Sequence, residues 1–228
     1  DSSAYLAFPW KTPKAKDLTS IEKIITTYKH FFKNDNFLSF KIIDLEFKTD
    51  SVTMGTSLNS YDSNICTILI DIDCWNDGTI EHEIIHNFMR VVPPRKDSAY
   101  FFFSESIPEY LSIALLHSDS AEDKIFQKKF ETLEKKIFND KSIFQTINNK
   151  IDEQAEYIII YQKIPYLLYL FSKEVGKDKF LNAFQQFYFQ VNKTNHINIE
   201  LMEKIFKESG ISDSQWKQFM HNISSTLK

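Results

Sequence analysis

The chain has 228 residues, with 27 Lys and Arg against 31 Asp and Glu, for a formal net charge of -4. Hydrophobic residues at 43% and charged residues at 25% exclude a disordered or collagen-like chain, and the acidic balance gives no general electrostatic case for nucleic acid or an anionic membrane. Four Gly and six Pro against 21 Phe and ten Tyr favour long regular elements, in one large domain or two small lobes. No apolar run approaches the ~20 residues that a bilayer-spanning helix needs.

Taken in order, residues 18–33 place Ile21, Ile24, Ile25, Tyr28, Phe31 and Phe32 on one helical face behind a Thr19/Ser20 cap. Leu38, Phe40 and Ile42 alternate, and then Ile43, Leu45 and Phe47 alternate in the opposite phase, the pattern of a strand bulged near Ile42. Residues 64–72 read as a second strand, ended by the Asn76-Asp77-Gly78 turn. A helix is expected from Thr79, its cap, to Val92, where Pro93-Pro94 stops it. Beyond Pro94 the pattern is helical at 107–116, 121–138, 151–173, 177–192, 199–208 and 213–224, with Gly176 and Gly210 as terminators. The organisation expected is one catalytic domain over 1–228, a strand-containing lobe (1–92) followed by a helical lobe (93–228).

His82-Glu83-Ile84-Ile85-His86 spells HExxH within the expected 79–92 helix. At about 100° per residue, positions four apart lie about 40° apart and one turn along the axis, so both imidazoles can hold one cation. Glu83 lies about 60° to the side of His86, near a metal without having to ligate it, and can take a proton from water there. The plainer reading is a histidine pair on an ordinary amphipathic helix. The motif favours one Zn²⁺ per chain.

Eighteen residues separate His86 from Glu105, which stands in the stretch Phe102-Phe103-Ser104-Glu105-Ser106-Ile107-Pro108-Glu109-Tyr110. Here the chain resembles the gluzincin zinc peptidases, especially aminopeptidases of the alanyl and leukotriene-hydrolase type, in which a W-x-N-E-G-F-A-E-Y pattern stands at this spacing. The resemblance implies Glu105 as the third zinc ligand and a thermolysin-like catalytic domain. Without it, Glu105 reads as a solvated carboxylate favoured by a helix N-terminus. An acidic residue in the place of Glu109 hydrogen-bonds a ligating His in the thermolysin-like enzymes, which makes Glu109 a candidate for that support; a surface glutamate is the other reading. Tyr161-Gln162-Lys163-Ile164-Pro165 is similar to the family's Y-x-K-G segment, and by that likeness Tyr161 donates a hydrogen bond to the oxyanion. Tyr157, one turn away, competes for the role, and Ile164 replaces the usual Gly.

The resemblance breaks upstream. Family aminopeptidases carry G-x-M-E-N about 27 residues before HExxH, its Glu holding the substrate's free amine. Gly55-Thr56-Ser57-Leu58-Asn59 occupies that place, so Gly55 and Asn59 are candidate substrate-binding residues but Leu58 cannot pair with an ammonium. The reading expected is therefore an α+β fold, a small mixed-sheet lobe followed by a helical lobe, working as a zinc peptidase on a peptide or protein substrate with no nucleic-acid partner. Cleavage of internal bonds or unusual termini is favoured over strict aminopeptidase action. The rivals are an aminopeptidase anchored by another acid, such as Asp62 or Glu109, and an inactive binding module. Cys66 and Cys74 are either bridged or buried thiols. The start at Asp1, if it reflects a removed leader, favours a secreted or periplasmic location.

Overall fold

The computed structural model describes residues 5–7, 15–33, 39–44, 55–59, 65–70, 78–139 and 157–224. The chain divides into two compact units, 1–90 and 91–228.

In the N-terminal unit, strand β1 (Tyr5–Ala7) precedes helix α1 (Ala15–Phe32), followed by β2 (Ser39–Asp44), β3 (Gly55–Asn59), β4 (Ile65–Ile70) and helix α2 (Thr79–His86). All six apolar residues of the expected α1 face, from Ile21 to Phe32, are buried. The helix nevertheless begins at Ala15, so Thr19 and Ser20 lie inside it as exposed residues and do not cap it. Ala15 and Lys16 are good helix formers and carry the helix a further turn upstream.

The backbone traces four short strands in the order β1-β2-β4-β3, with β1, β2 and β4 parallel and β3 antiparallel to β4 at the edge. Ser39–Asp44 pairs residue for residue with Ile65–Ile70, leaving no extra residue for the bulge expected near Ile42.

The α2 helix stops at His86, six residues short of the expected end. The buried Asn87 side chain donates through Nδ2 to the Glu83 and Ile84 carbonyls, at 3.0 and 3.3 Å, and its own N–H bonds Ile84 O. These bonds occupy last-turn carbonyls and close the helix before the prolines are reached.

The C-terminal unit is helical. A continuous segment from Tyr100 passes through a π-helical turn (Phe102–Ser106) into α3 (Ile107–Leu116), followed by α4 (Asp119–Asn139). A second π turn (Ile159–Lys163) leads into α5 (Ile164–Val175), and α6 (Lys177–Thr194), α7 (Ile199–Glu208) and α8 (Asp213–Ser224) complete the unit. Gly176 and Gly210 take φ of 93° and 87° at helix ends, where a Cβ would be strained. Along α6, Phe180, Ala183, Phe184, Phe187, Tyr188 and Val191 recur at helical spacing and are all buried. Phe184 sits 5.0 Å from both Phe180 and Phe206, ring centre to ring centre, within an aromatic cluster that Tyr110 joins.

The expected fold class is corrected by these observations. The α+β, thermolysin-like arrangement with a mixed-sheet lobe does not describe this chain, which is nearly all helical: 81% of the residues described with their side chains are in helices. The strands run only three to six residues, and most of the large buried aromatic rings among the residues described with their side chains lie on helices. The expected helix over 151–173 is described from Tyr157 onward; its first six residues, like Cys74 and Asp62, lie outside the described residues.

Phe184→Ala should cost about 3–5 kcal/mol, as a ring is deleted from a fully buried site. Phe189→Ala on the same helix, where the ring is 53% exposed, should stay within about 0.5 kcal/mol. Urea denaturation of the two variants checks the contrast.

Candidate metal centre

In the N-terminal unit, α2 is held against α1 by the Tyr28 hydroxyl, which donates to the Glu81 carbonyl at 3.1 Å, and by Phe88, stacked on Phe32 at 5.6 Å and edge-on to Tyr28 at 5.7 Å. Fixing α2 in this way fixes the HExxH side chains. His82 and His86 bring their Nε2 atoms to 3.0 Å, with ring planes 80° apart. Two nitrogens at the ~2.0–2.1 Å Zn–N distance and a tetrahedral angle lie about 3.3 Å apart, so the pair fits one zinc with a small movement. Glu83 is 6% exposed, as is His82, and both belong to the interior although their side chains are polar. A buried carboxylate beside two imidazoles is costly unless it has work to do or a partner.

Strand β3, carrying Gly55, Leu58 and Asn59, forms the sheet edge beyond β4, with Gly55 opposite Ile70, Leu58 opposite Thr67 and Asn59 opposite Cys66. Gly55 and Asn59 therefore stand at the two ends of an edge strand.

In the C-terminal unit, Glu105 and Tyr161 each lie in a π turn, and the cause is the same in both. Pro108 and Pro165 follow as second residues of α3 and α5. A proline inside a continuous helix offers no N–H and its ring collides with the carbonyl four residues back. The helix widens instead, and the Ile107 and Ile164 N–H groups bond five residues back, to the Phe102 and Ile159 carbonyls. The two wide turns are joined. The Tyr161 hydroxyl donates to Glu105 Oε2 at 2.8 Å, and the buried Ser106 hydroxyl donates to the Ile160 carbonyl at 2.8 Å. Glu105 thus keeps a half-buried carboxylate oriented by a phenol. Tyr157 is 54% exposed and packs its ring 4.9 Å from that of Tyr161. Burial holds the Lys163 ammonium on the same turn below the usual lysine range.

Glu109 lies in the first turn of α3 and accepts a 2.6 Å ion-paired hydrogen bond from Lys129 of α4. Lys129 had no motif to reveal it; it stands 20 residues from Glu109 and 32 from Tyr161, whose carbonyl it also bonds. The two Ile-Pro steps were a legible signal for the π turns, but each reads as a simple helix start when taken alone.

No family model, curated protein or solved structure matches the chain. Among the described residues no helix is long and apolar enough to cross a membrane.

Metal analysis of protein purified without chelator should find about one zinc per chain, and His86→Ala should abolish most of it. Protein that stays metal-free in saturating zinc would remove the centre.

Proposed function

We propose that the protein is a zinc-dependent peptidase of gluzincin type, in which His82, His86 and Glu105, each offering one ligand atom, hold a single zinc. The observation that carries the reading is the imidazole pair on α2, with Nε2 atoms 3.0 Å apart beside a buried Glu83. The Tyr161–Glu105 hydrogen bond supports the register of the downstream likeness. When bound, zinc would supply Lewis acidity, lowering the pKa of water toward ~7 and polarising a carbonyl.

The chain's own groups do the rest. Glu83 takes the proton from the attacking water and returns it to the leaving amine, so that a carboxylate which does not ligate serves as base and then as acid. The Tyr161 hydroxyl, which has a single proton and gives it to Glu105 Oε2 in the resting protein, exchanges that acceptor for the oxyanion that forms as the carbonyl becomes tetrahedral. Glu109 and Lys129 brace the Glu105 side of the arrangement. The substrate is a peptide or protein, and Leu58, in the place of the family's amine-binding Glu, argues against strict release of N-terminal residues. An uncompensated ammonium beside an aliphatic side chain is costly.

Glu83→Gln should retain zinc while losing more than the ~10²–10⁴-fold that general acid–base groups contribute, because this residue also positions the water. Hydrolysis and metal content measured on one preparation check the pair of outcomes. Loss of the metal would reassign Glu83 to a structural role, and full activity would point to another base.

Specificity is open to direct comparison. Acetylated and free forms of one fluorogenic peptide set should be cleaved comparably, or the acetylated form better. Strong preference for the free amine would return the protein to the aminopeptidases. Zinc binding with cleavage of neither form across a broad set would favour the binding module.

A further inference from the structure

Tyr161 is held at both of its ends. Its hydroxyl lies on Glu105, as described above, and its carbonyl meets an unusual donor. In a regular helix that carbonyl would accept from the N–H four residues on, which here belongs to Pro165 and does not exist. The Lys129 ammonium lies 3.0 Å from Tyr161 O and 2.6 Å from Glu109 Oε1. Both charged side chains are largely withdrawn from water, at 20% and 17% exposure. An ammonium carries three donors and makes stronger hydrogen bonds than a neutral amide, so one side chain on α4 can satisfy both acceptors.

We propose that Lys129 is a positioning residue: by bonding the Tyr161 carbonyl beside the proline step and tying it to Glu109, it sets the Tyr161 turn so that the hydroxyl rests on Glu105. Three hydrogen bonds close a loop through the unit, from Glu105 to the Tyr161 hydroxyl, from the Tyr161 carbonyl to Lys129, and from Lys129 to Glu109, one turn along from Glu105. Each member restrains the next. Without Lys129, the wide turn keeps its bond from the Ser106 hydroxyl to the Ile160 carbonyl but loses the one at Tyr161, and the phenol loses its registration. The geometry stands by itself; the catalytic consequence rests on the peptidase reading.

The test places 3-fluorotyrosine at position 161 and, as a control, at position 188, which is buried on α6. In Lys129→Met the ¹⁹F resonance at 161 should shift, while that at 188 stays. Lys129→Arg, which keeps charge and donors, should restore the position-161 signal. In activity assays Lys129→Met should lower kcat by on the order of ten- to a hundredfold with little change in KM, as expected for misplacement of a group without loss of binding. That loss should vanish in a Tyr161→Phe background, since there is then no hydroxyl to misplace. A position-161 resonance that does not move overturns the proposal, as does an equal shift at 188 with no rescue by arginine, because the lysine would then be merely structural. If Lys129→Met does not fold, Glu109→Gln carries the same measurement by removing the charge that draws Lys129 across; an unmoved resonance there is equally fatal. A shifted and rescued resonance in a protein that hydrolyses no peptide would uphold the positioning role and overturn the peptidase reading.

Discussion

A missing N–H, repeated, shapes the C-terminal unit. Pro108 and Pro165 each sit one residue into a helix that has already begun, and each forbids the hydrogen bond that would have continued it regularly. The helix answers by widening for one turn, and it is those turns that carry Glu105 and Tyr161. A regular helix would rotate these side chains through a different angle. The Lys129 ammonium and Ser106 hydroxyl bond carbonyls of the second turn, which converts a local defect into cross-links between elements. An interrupted ladder is tolerable only where other donors complete it.

The rest of the unit makes that interruption affordable through its aromatic packing. Phe171 and Phe219 stack at 4.4 Å and 7°, and Phe206 meets Phe180, Phe184 and Trp216 edge-on between 5.0 and 5.5 Å. Such contacts stabilise beyond area burial by about 0.5–1.5 kcal/mol per pair. A polar clamp works beside them at the α5–α6 corner. Lys177 lies 2.5 Å from the fully buried Glu122 carboxylate and 2.8 Å from Asp119, so that the corner made by Gly176 is tied to the start of α4. Removing the lysine would strand Glu122 as a buried charge, which costs more than the pair contributes.

The N-terminal unit reaches its local chemistry by a different route. Its helix α2 is short, and its end is set by the Asn87 amide rather than by a proline. Because α2 is pinned to α1 by Tyr28 and Phe88, the two imidazoles emerge from a fixed base, and the zinc binding proposed for them would need little further ordering. This preorganisation suits a ligand pair better than a longer, freer helix would.

What the sequence determined by itself was periodic or local. The α1 face, the α6 stripe, the glycine stops and the spacing of His82 and His86 follow from rules that act within a few residues, and the α3, α7 and α8 bounds were legible for that reason. The balance of sheet and helix was not, since apolar runs of strand length do not say how much of a core they will build. Nor was the end of α2, where a side-chain amide competed with the prolines for the last carbonyls. Only the tertiary structure decided that Tyr161 bonds Glu105 across 56 residues and that Lys129 joins Glu109 to the Tyr161 carbonyl. Those links depend on where α3, α4 and α5 come to lie against one another, and side-chain volumes summed over the whole aromatic core set that placement, not any pattern within a window of sequence.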